Sequence, residues 1–374
     1  MEQRAAGSQD PSRGNGRPER AGAGTGPILR PCPHGGSRSA LSGGRDALHR
    51  QLIELARRKA LSARAAEEGL RLAAVLPDGP AWRRFLEHVC AYGGALACAA
   101  GIIFLVAFNW QEWPPIAKFS LLQALLAAAA AGAWRLGTAR PAGRVALLFA
   151  MILCGALLAY LGQHYQTGAD SYQLFLAWGL VILPWVAASR SAAAWALLLV
   201  LANLAVQLYV GRFSPFLLAA LDGGWPHPWL FWLNLAAVAA AEGLGGRLID
   251  GGRLRFLPRL AGVLVLAAIV GALFGAILGE ARAGGILAWA TRAVMALVLA
   301  GGFLFYQWRR DLPMLTLCCL AAIAVATAGL ARLLAEGDPG ELSLLVVGGF
   351  LIAASAGAAA WLRRLQARWA GEAA

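Results

Sequence analysis

Long apolar runs recur from residue 89 to residue 362, and short polar segments separate them. Each run is close to the 20 or so predominantly apolar residues that an α-helix needs to cross the hydrocarbon core of a bilayer. The pattern predicts an all-α fold, a polytopic transmembrane helix bundle of about ten spans. The predicted spans are residues 89–108, 116–134, 145–162, 172–188, 192–210, 229–246, 260–278, 286–306, 312–334 and 342–362.

Arginine is distributed unevenly over the segments between these spans, and short loops rich in basic residues stay on the cytoplasmic side of a membrane. Every second loop is basic, whereas the loops between them are more acidic and hold Glu112, Asp170, Asp222 and Glu280. Both termini are therefore predicted to be cytoplasmic. The abundance of Ala and Gly, and of Arg over Lys, indicates a bacterial source, so we expect the bacterial cytoplasmic (inner) membrane. The basic loop residues are Arg135, Arg140, Arg144, Arg190, Arg247, Arg253, Arg255, Arg259, Arg309, Arg310, Arg363, Arg364 and Arg368.

The segments outside the apolar runs differ in character. Residues 1–44 are rich in Gly, Arg, Pro and Ser, and such a segment buries too little apolar surface to fold, so a disordered tail is predicted. Residues 45–88 show a helical period and predict a short cytoplasmic helical hairpin, with Ser62 as the N-cap of its second helix. Residues 89–362 form the helix bundle, and 363–374 are predicted to be a cytoplasmic tail.

The composition of the chain indicates a membrane protein rather than a soluble globular one. The chain of 374 residues is 59% hydrophobic and 14% charged, whereas a soluble globular chain has about 25% charged residues. The net charge of +13 is spread over alternate loops rather than gathered on one face, so no nucleic-acid partner is predicted. The expected partners are the lipid bilayer and, as a possibility left open, a membrane-protein partner or a second copy of the chain. None of the six cysteines has C-x-x-C spacing, and neither a metal nor a cofactor is predicted.

Two kinds of residue within the spans are candidates for a special role. Glu242 and Arg292 are charged and lie inside predicted spans, where charge is costly and often functional. Gly271, Gly275 and Gly279 form a doubled G-x-x-x-G pattern, which lets helix backbones approach closely. We expect these glycines to pack another helix of the same chain rather than to form a dimer face.

A second group of polar residues gathers at the predicted outer ends of spans one and three. If these two spans are neighbours, the group forms one outer rim that is suited to a cation, a polar headgroup or a proton relay. The alternative is that the aromatic residues form an interfacial belt and the polar residues cap their own helices. One His beside carboxylates does not make a metal site. The outer rim comprises Asn109, Trp110, Glu112, Gln163, His164, Tyr165, Asp170 and Tyr172.

The rim residues also lie in a stretch that resembles a known family. From about residue 47 to about residue 200 the sequence is similar to the DUF2157 family of predicted bacterial membrane proteins. The similarity consists of an N-terminal helical hairpin, Gly101-Ile-Ile-Phe followed by Asn109-Trp110, then Gly162-Gln163-His164-Tyr165-Gln166 and Asp170. The resemblance implies a membrane location and no activity.

Motifs that would identify an ATP-driven pump, a zinc protease or an α/β-hydrolase do not occur in the sequence. Three classes of function remain. We expect a transporter-like or ligand-binding membrane protein with a polar site at the outer rim. The first alternative is a non-catalytic subunit or scaffold of a membrane complex. The third is a membrane enzyme that acts on a lipid-linked substrate with His164 and Asp170 as acid and base, but no catalytic residue is assigned.

Overall fold

The computed structural model describes Ser62, Ala65 and residues 79–109, 111–166, 168–213, 227–249, 255–278, 286–335 and 341–372. These residues form helices joined by short turns, and no strand occurs among them. In lipid the backbone must satisfy its own hydrogen bonds, which explains why apolar runs of this length become helices. The helices are α1 Gly79–Phe108, α2 Pro115–Leu136, α3 Pro141–His164, α4 Ser171–Ser189, α5 Ala192–Phe213, α6 His227–Leu248, α7 Phe256–Leu278, α8 Ile286–Trp308, α9 Leu312–Ala335 and α10 Glu341–Glu372.

All ten predicted spans fall on these helices, so the predicted fold class is confirmed. Within the described residues, nine helices are long and apolar enough to cross a membrane. The helix that is not among these nine is α6, which has 22 residues and contains Asn234 and Glu242. The close pair of spans around residue 190 is real: α4 ends at Ser189, Arg190 has a left-handed φ of 47°, and α5 begins at Ala192.

Two helix bounds differ from the predicted domain division. Helix α1 begins ten residues before the predicted first span, so residues 79–88 continue into the membrane helix instead of closing the hairpin. An ion pair between Arg83 and Glu87, one helical turn apart at 3.0 Å, accompanies this extension. Helix α10 continues to Glu372 and includes most of the predicted C-terminal tail. The Ala65 N–H donates to Ser62 Oγ (3.2 Å), as the predicted N-cap requires. The rest of the predicted hairpin before residue 79, and the tail 1–44, lie outside the described residues.

In the first half of the bundle, α3 is the central helix. It packs against α1, α2 and α4, and α4 packs in turn against α5. Gly155 of α3 makes the contact with α4 close, because the Trp178 indole lies where a side chain at residue 155 would stand. The indole Nε1 donates to the Met151 carbonyl at 2.8 Å, which fixes the ring in this position.

In the second half, α7 has the central place. It contacts α6, α8 and α9, and α10 packs on α9. The buried core between these helices includes Phe231, Ile269, Met295 and Cys318. The halves meet where α5 packs against α6 and α7.

A reciprocal amide pair lies at this junction. Asn203 of α5 donates to Asn234 Oδ1 (3.1 Å), and Asn234 of α6 donates to Asn203 Oδ1 (2.7 Å). Each amide also donates to a carbonyl one turn earlier in its own helix, at Leu199 and Leu230. Asn234 is completely buried, so the pair meets the requirement that a polar group in the bilayer be satisfied within the protein.

Candidate functional site

The structure brings together the outer ends of α1, α2 and α3 ("outer" and "inner" denote the predicted orientation). Val106, Leu122 and Tyr160, one from each helix, form a buried apolar cluster. The Tyr160 hydroxyl donates to the Pro115 carbonyl at 2.7 Å, which ties the end of α3 to the start of α2. Spans one and three are therefore neighbours, as the rim hypothesis requires.

The α1 part of the rim is occupied with its own helix end. Asn109 Nδ2 donates to the Leu105 carbonyl (2.8 Å), which also accepts from the Asn109 backbone N–H (3.1 Å). Glu112 is exposed to the surroundings, and Trp110 lies outside the described residues. The Asn109 side chain therefore binds the end of its own helix, as the capping alternative predicts.

At the end of α3, the His164 ring stacks on Tyr160, with centroids 5.6 Å apart, and meets the edge of Tyr165 at 5.0 Å. Gln163 and His164 are exposed, and Tyr165 is 70% exposed. The chain then turns through two residues of positive φ, Gln166 at 44° and Gly168 at 69°. The His164 imidazole thus contacts the two aromatic rings of Tyr160 and Tyr165.

Asp170 begins α4 and has a partner that the sequence analysis did not identify. Its backbone N–H donates to Gln173 Oε1 (3.1 Å) in the manner of a capping box. Its Oδ1 accepts from Arg212 Nε, at the end of α5, at 3.1 Å. Next to this pair, the rings of Tyr172 and Tyr209 meet edge to face at 5.1 Å. The only signal in the sequence was that Tyr209 and Arg212 end a span on the same side as Asp170.

A second candidate site lies at the other end of the bundle, in the second half. Helices α6 and α8 both pack against α7, and between them is a cavity of about 530 Å³, here called the cleft. Its walls are apolar except for Glu242 of α6 and Tyr306 of α8, both toward the inner end. The volume falls in the range of about 300–1,000 Å³ that is typical of ligand pockets.

Glycines keep this space open. Gly301 of α8 lines the cleft, and a side chain there would meet nothing within 4 Å. The neighbouring Gly302 faces Cys318 of α9, whose Sγ would be 3.4 Å from an added Cβ. Gly262 of α7 gives room to Met314 of α9 and to the Tyr306 hydroxyl, whose nearest atoms lie 2.6 Å and 2.9 Å from the position of a Cβ. Glycine in a helix costs about 1 kcal/mol relative to alanine. Gly301 leaves space in the cleft, whereas Gly262 and Gly302 allow close packing of its walls.

Charged residues from three helix ends are connected to the inner end of the cleft through Glu242. Glu242 forms an ion pair with Arg309, which directly follows α8. Asp311, which precedes α9 and is 5% exposed, accepts from Arg255 (3.3 Å) and Arg259 (3.2 Å) at the start of α7. Arg255 Nη1 also reaches the Arg309 carbonyl at 3.4 Å, so the two ion-paired groups are connected. The sequence analysis singled out Glu242 but did not identify Arg309 or Asp311 as its surroundings.

The remaining predicted residues have separate environments. Arg292 is buried in α8, six residues from its outer end, and its guanidinium carbon lies 5.0 Å from the centre of the Trp289 ring. Gly271 packs against the His227 imidazole of α6, whereas Gly275 has open space around it. Gly279 lies outside the described residues. No cluster of three or more His, Cys, Asp or Glu residues suited to a metal ion occurs in the part of the chain that the structure describes.

Comparison with known proteins bears on the first of the two regions. Residues 48–195 match the DUF2157 family of predicted membrane proteins. The resemblance predicted from sequence is thus confirmed, with nearly the predicted bounds. The DUF2157 match covers α1 to α4 and the first residues of α5, and it includes the whole outer rim. The cleft lies outside it. No curated protein and no solved structure matches the chain.

Proposed function

We propose that the protein is a ligand-binding, transporter-like membrane protein, and that the cleft between α6 and α8 holds an amphipathic ligand. The observation that supports this is the placement of polarity: the walls are apolar, and Glu242 and Tyr306 stand at one end. Pockets of this kind, with few polar groups among apolar walls, favour a ligand with an apolar body and a polar head.

The position of the cleft supports the same interpretation. It lies between two helices that are joined through α7, so a hydrocarbon chain can enter from the bilayer without crossing water. Glu242 lies six residues from the end of α6, a depth of about 9 Å at 1.5 Å per residue. A polar head at this depth sits near the membrane interface while the tail extends toward the bilayer centre.

Filling the cleft tests the proposal. Gly301→Leu places a side chain in the cavity without a clash at its Cβ. The control is Gly275→Leu, since Gly275 is also a helical glycine with nothing within 4 Å but lines a separate groove between α7 and α9. Lipids that remain bound to the purified full-length protein are counted by native mass spectrometry. We expect Gly301→Leu to lose a bound amphiphile that the wild type and Gly275→Leu retain.

Equal lipid retention by all three proteins would contradict the proposal. Loss in both variants would also contradict it, because that result assigns lipid binding to the general surface of α7 and α8 rather than to the cleft.

The outer rim is a second candidate binding site, in the DUF2157 region, and the packing of α1 against α3 favours it. The bacterial cytoplasmic membrane, with both termini cytoplasmic, is proposed as the location on the basis of the arginine distribution. A scaffold role in a membrane complex is the alternative to ligand binding. It predicts that a filled cleft changes nothing while partner association persists.

A further inference from the structure

We infer that the ligand of the cleft carries an anionic head, such as a phosphate or carboxylate, which binds to the arginine cluster Arg255, Arg259 and Arg309 in place of Glu242. This inference rests on the proposed function, because it specifies the chemical class of the same ligand. It follows from the charges, donors and geometry at the inner end of the cleft.

The local charge is positive. Three guanidinium groups face two carboxylates, Glu242 and Asp311, which leaves one positive charge among these five side chains. Asp311 is 5% exposed, whereas the arginine side chains are 36% to 45% exposed. The buried carboxylate thus binds the cluster from the protein interior, and the arginine side chains remain partly accessible. Basic pockets between helices at the cytoplasmic side of a membrane are suited to phosphate headgroups.

The arginines also carry more N–H donors than these ion pairs use. A guanidinium has five N–H donors in a planar fork that fits phosphate and carboxylate oxygens in pairs. The ion pairs described here involve one nitrogen of each arginine: Nη1 of Arg255, Nε of Arg259 and Nη2 of Arg309. A bound anion can therefore contact the cluster while Asp311 keeps its own two contacts.

The Glu242–Arg309 pair lies where the polar head of a ligand would enter the cleft. It connects α6 to the end of α8, and both helices line the cleft. Glu242 lines the cavity and is the acidic residue nearest to its apolar part. A ligand whose tail fills the cleft brings its head to this pair. An anionic head competes with the Glu242 carboxylate for Arg309, whereas a zwitterionic head gains less.

This competition predicts opposite effects for the two partners of the ion pair. Glu242→Gln removes the competing carboxylate and should strengthen binding of an anionic lipid. Arg309→Gln should weaken it about fivefold, the factor expected for one basic side chain near an anionic ligand. If the pair only stabilises the fold, both substitutions lower stability and neither raises binding. The double variant Arg309→Gln/Glu242→Gln removes both charges, so that no carboxylate is left unpaired if Arg309→Gln alone fails to fold.

The experiment uses the full-length protein in nanodiscs, with phosphatidylglycerol and phosphatidylcholine as anionic and zwitterionic probes. Retention of each lipid is measured for the wild type, Glu242→Gln, Arg309→Gln and the double variant. The matched control is Arg363→Gln, because Arg363 is an exposed arginine on α10 whose Nε donates to the Ala359 carbonyl in its own helix. We expect preference for phosphatidylglycerol in the wild type, a stronger preference in Glu242→Gln, a weaker preference in Arg309→Gln and the double variant, and no change in Arg363→Gln.

The outcomes separate this inference from the proposed function. Equal retention of both lipids, with Gly301→Leu still reducing it, overturns the anionic head and leaves the cleft as a binding site. Failure of Gly301→Leu to reduce retention overturns both. A decrease in binding in Glu242→Gln overturns the competition between Glu242 and the ligand. Inorganic phosphate is added as a competitor: displacement of phosphatidylglycerol supports an anion site reached from water, and persistence supports a lipid headgroup.

Discussion

Alanine substitutions at Gly271 and Gly275 should have different effects on stability, although both glycines belong to the same G-x-x-x-G pattern on α7. At Gly271, an added Cβ would lie 2.6 Å from Cε1 and 2.8 Å from Nε2 of His227. Ordinary contacts between carbon atoms are about 3.5–4.0 Å, so the imidazole or the α6 backbone must move by about 1 Å. At Gly275, an added Cβ meets nothing within 4 Å.

The magnitude follows from the difference between the two sites. Overpacking of a close-packed interior costs about 1–3 kcal/mol. The gain in helix propensity from Gly to Ala, about 1 kcal/mol, applies to both positions and cancels in the comparison. We expect Gly271→Ala to be less stable than Gly275→Ala by about 1–3 kcal/mol. At about 2–4 °C per kcal/mol for domains of 150–250 residues, the apparent Tm values should differ by several degrees.

The assay is thermal unfolding of the purified proteins in one detergent. A double-mutant cycle with His227→Ala adds a sharper test, since the clash is with the imidazole. In the His227→Ala background, Gly271→Ala should cost nothing further. Equal Tm values for the two alanine variants would refute this reasoning, and so would a full penalty for Gly271→Ala after removal of the imidazole.

Three further predictions concern other parts of the chain. Asn203→Leu leaves the buried Asn234 amide without its partner on α5, so it should lower the free energy of unfolding by about 0.6 kcal/mol and by at most about 1.7 kcal/mol. The double variant Asn203→Leu/Asn234→Leu should cost less than the two single changes combined. Reporter fusions after Ala370 should show green fluorescence and no alkaline phosphatase activity, because an even number of spans returns the C-terminus to the cytoplasm; phosphatase activity there would exclude that count. At the outer rim, His164→Ala and Asp170→Ala should change a phenotype at unchanged abundance if the rim binds a ligand, whereas lower abundance in both would favour structural roles.

The helices were predictable because the bilayer imposes them. A run of about 20 apolar residues has few alternatives to a helix in lipid, and the division at Ser189 to Ser191 was visible as a break between two such runs. The start of α1 was not predicted correctly, because residues 79–88 include both apolar residues, such as Trp82 and Phe85, and the charged pair Arg83–Glu87. A polar stripe of this kind is compatible with a surface hairpin as well as with the first turns of a longer helix.

The candidate sites were less predictable, because they depend on which helices are neighbours. Glu242 was recognised as a charge within a span, but its partner Arg309 is 67 residues further along the chain. Asp170 was assigned to the rim, but Arg212 belongs to a helix whose packing no local pattern specifies. The glycine pattern likewise gave no indication that Gly271 packs against an imidazole. The sequence pattern predicts which segments of the chain form helices, whereas side-chain partners depend on which helices pack together.

The Asn203–Asn234 pair has a consequence for how the protein enters the membrane. Spans are inserted in chain order, so α5 reaches the bilayer before α6 does. Each amide donates to a carbonyl of its own helix, Leu199 for Asn203 and Leu230 for Asn234. Because these contacts need no second helix, α5 can lie in lipid alone with one N–H of the Asn203 amide already hydrogen-bonded. Insertion of α6 then supplies the remaining contacts, and the first five helices can pack together before the last five are inserted.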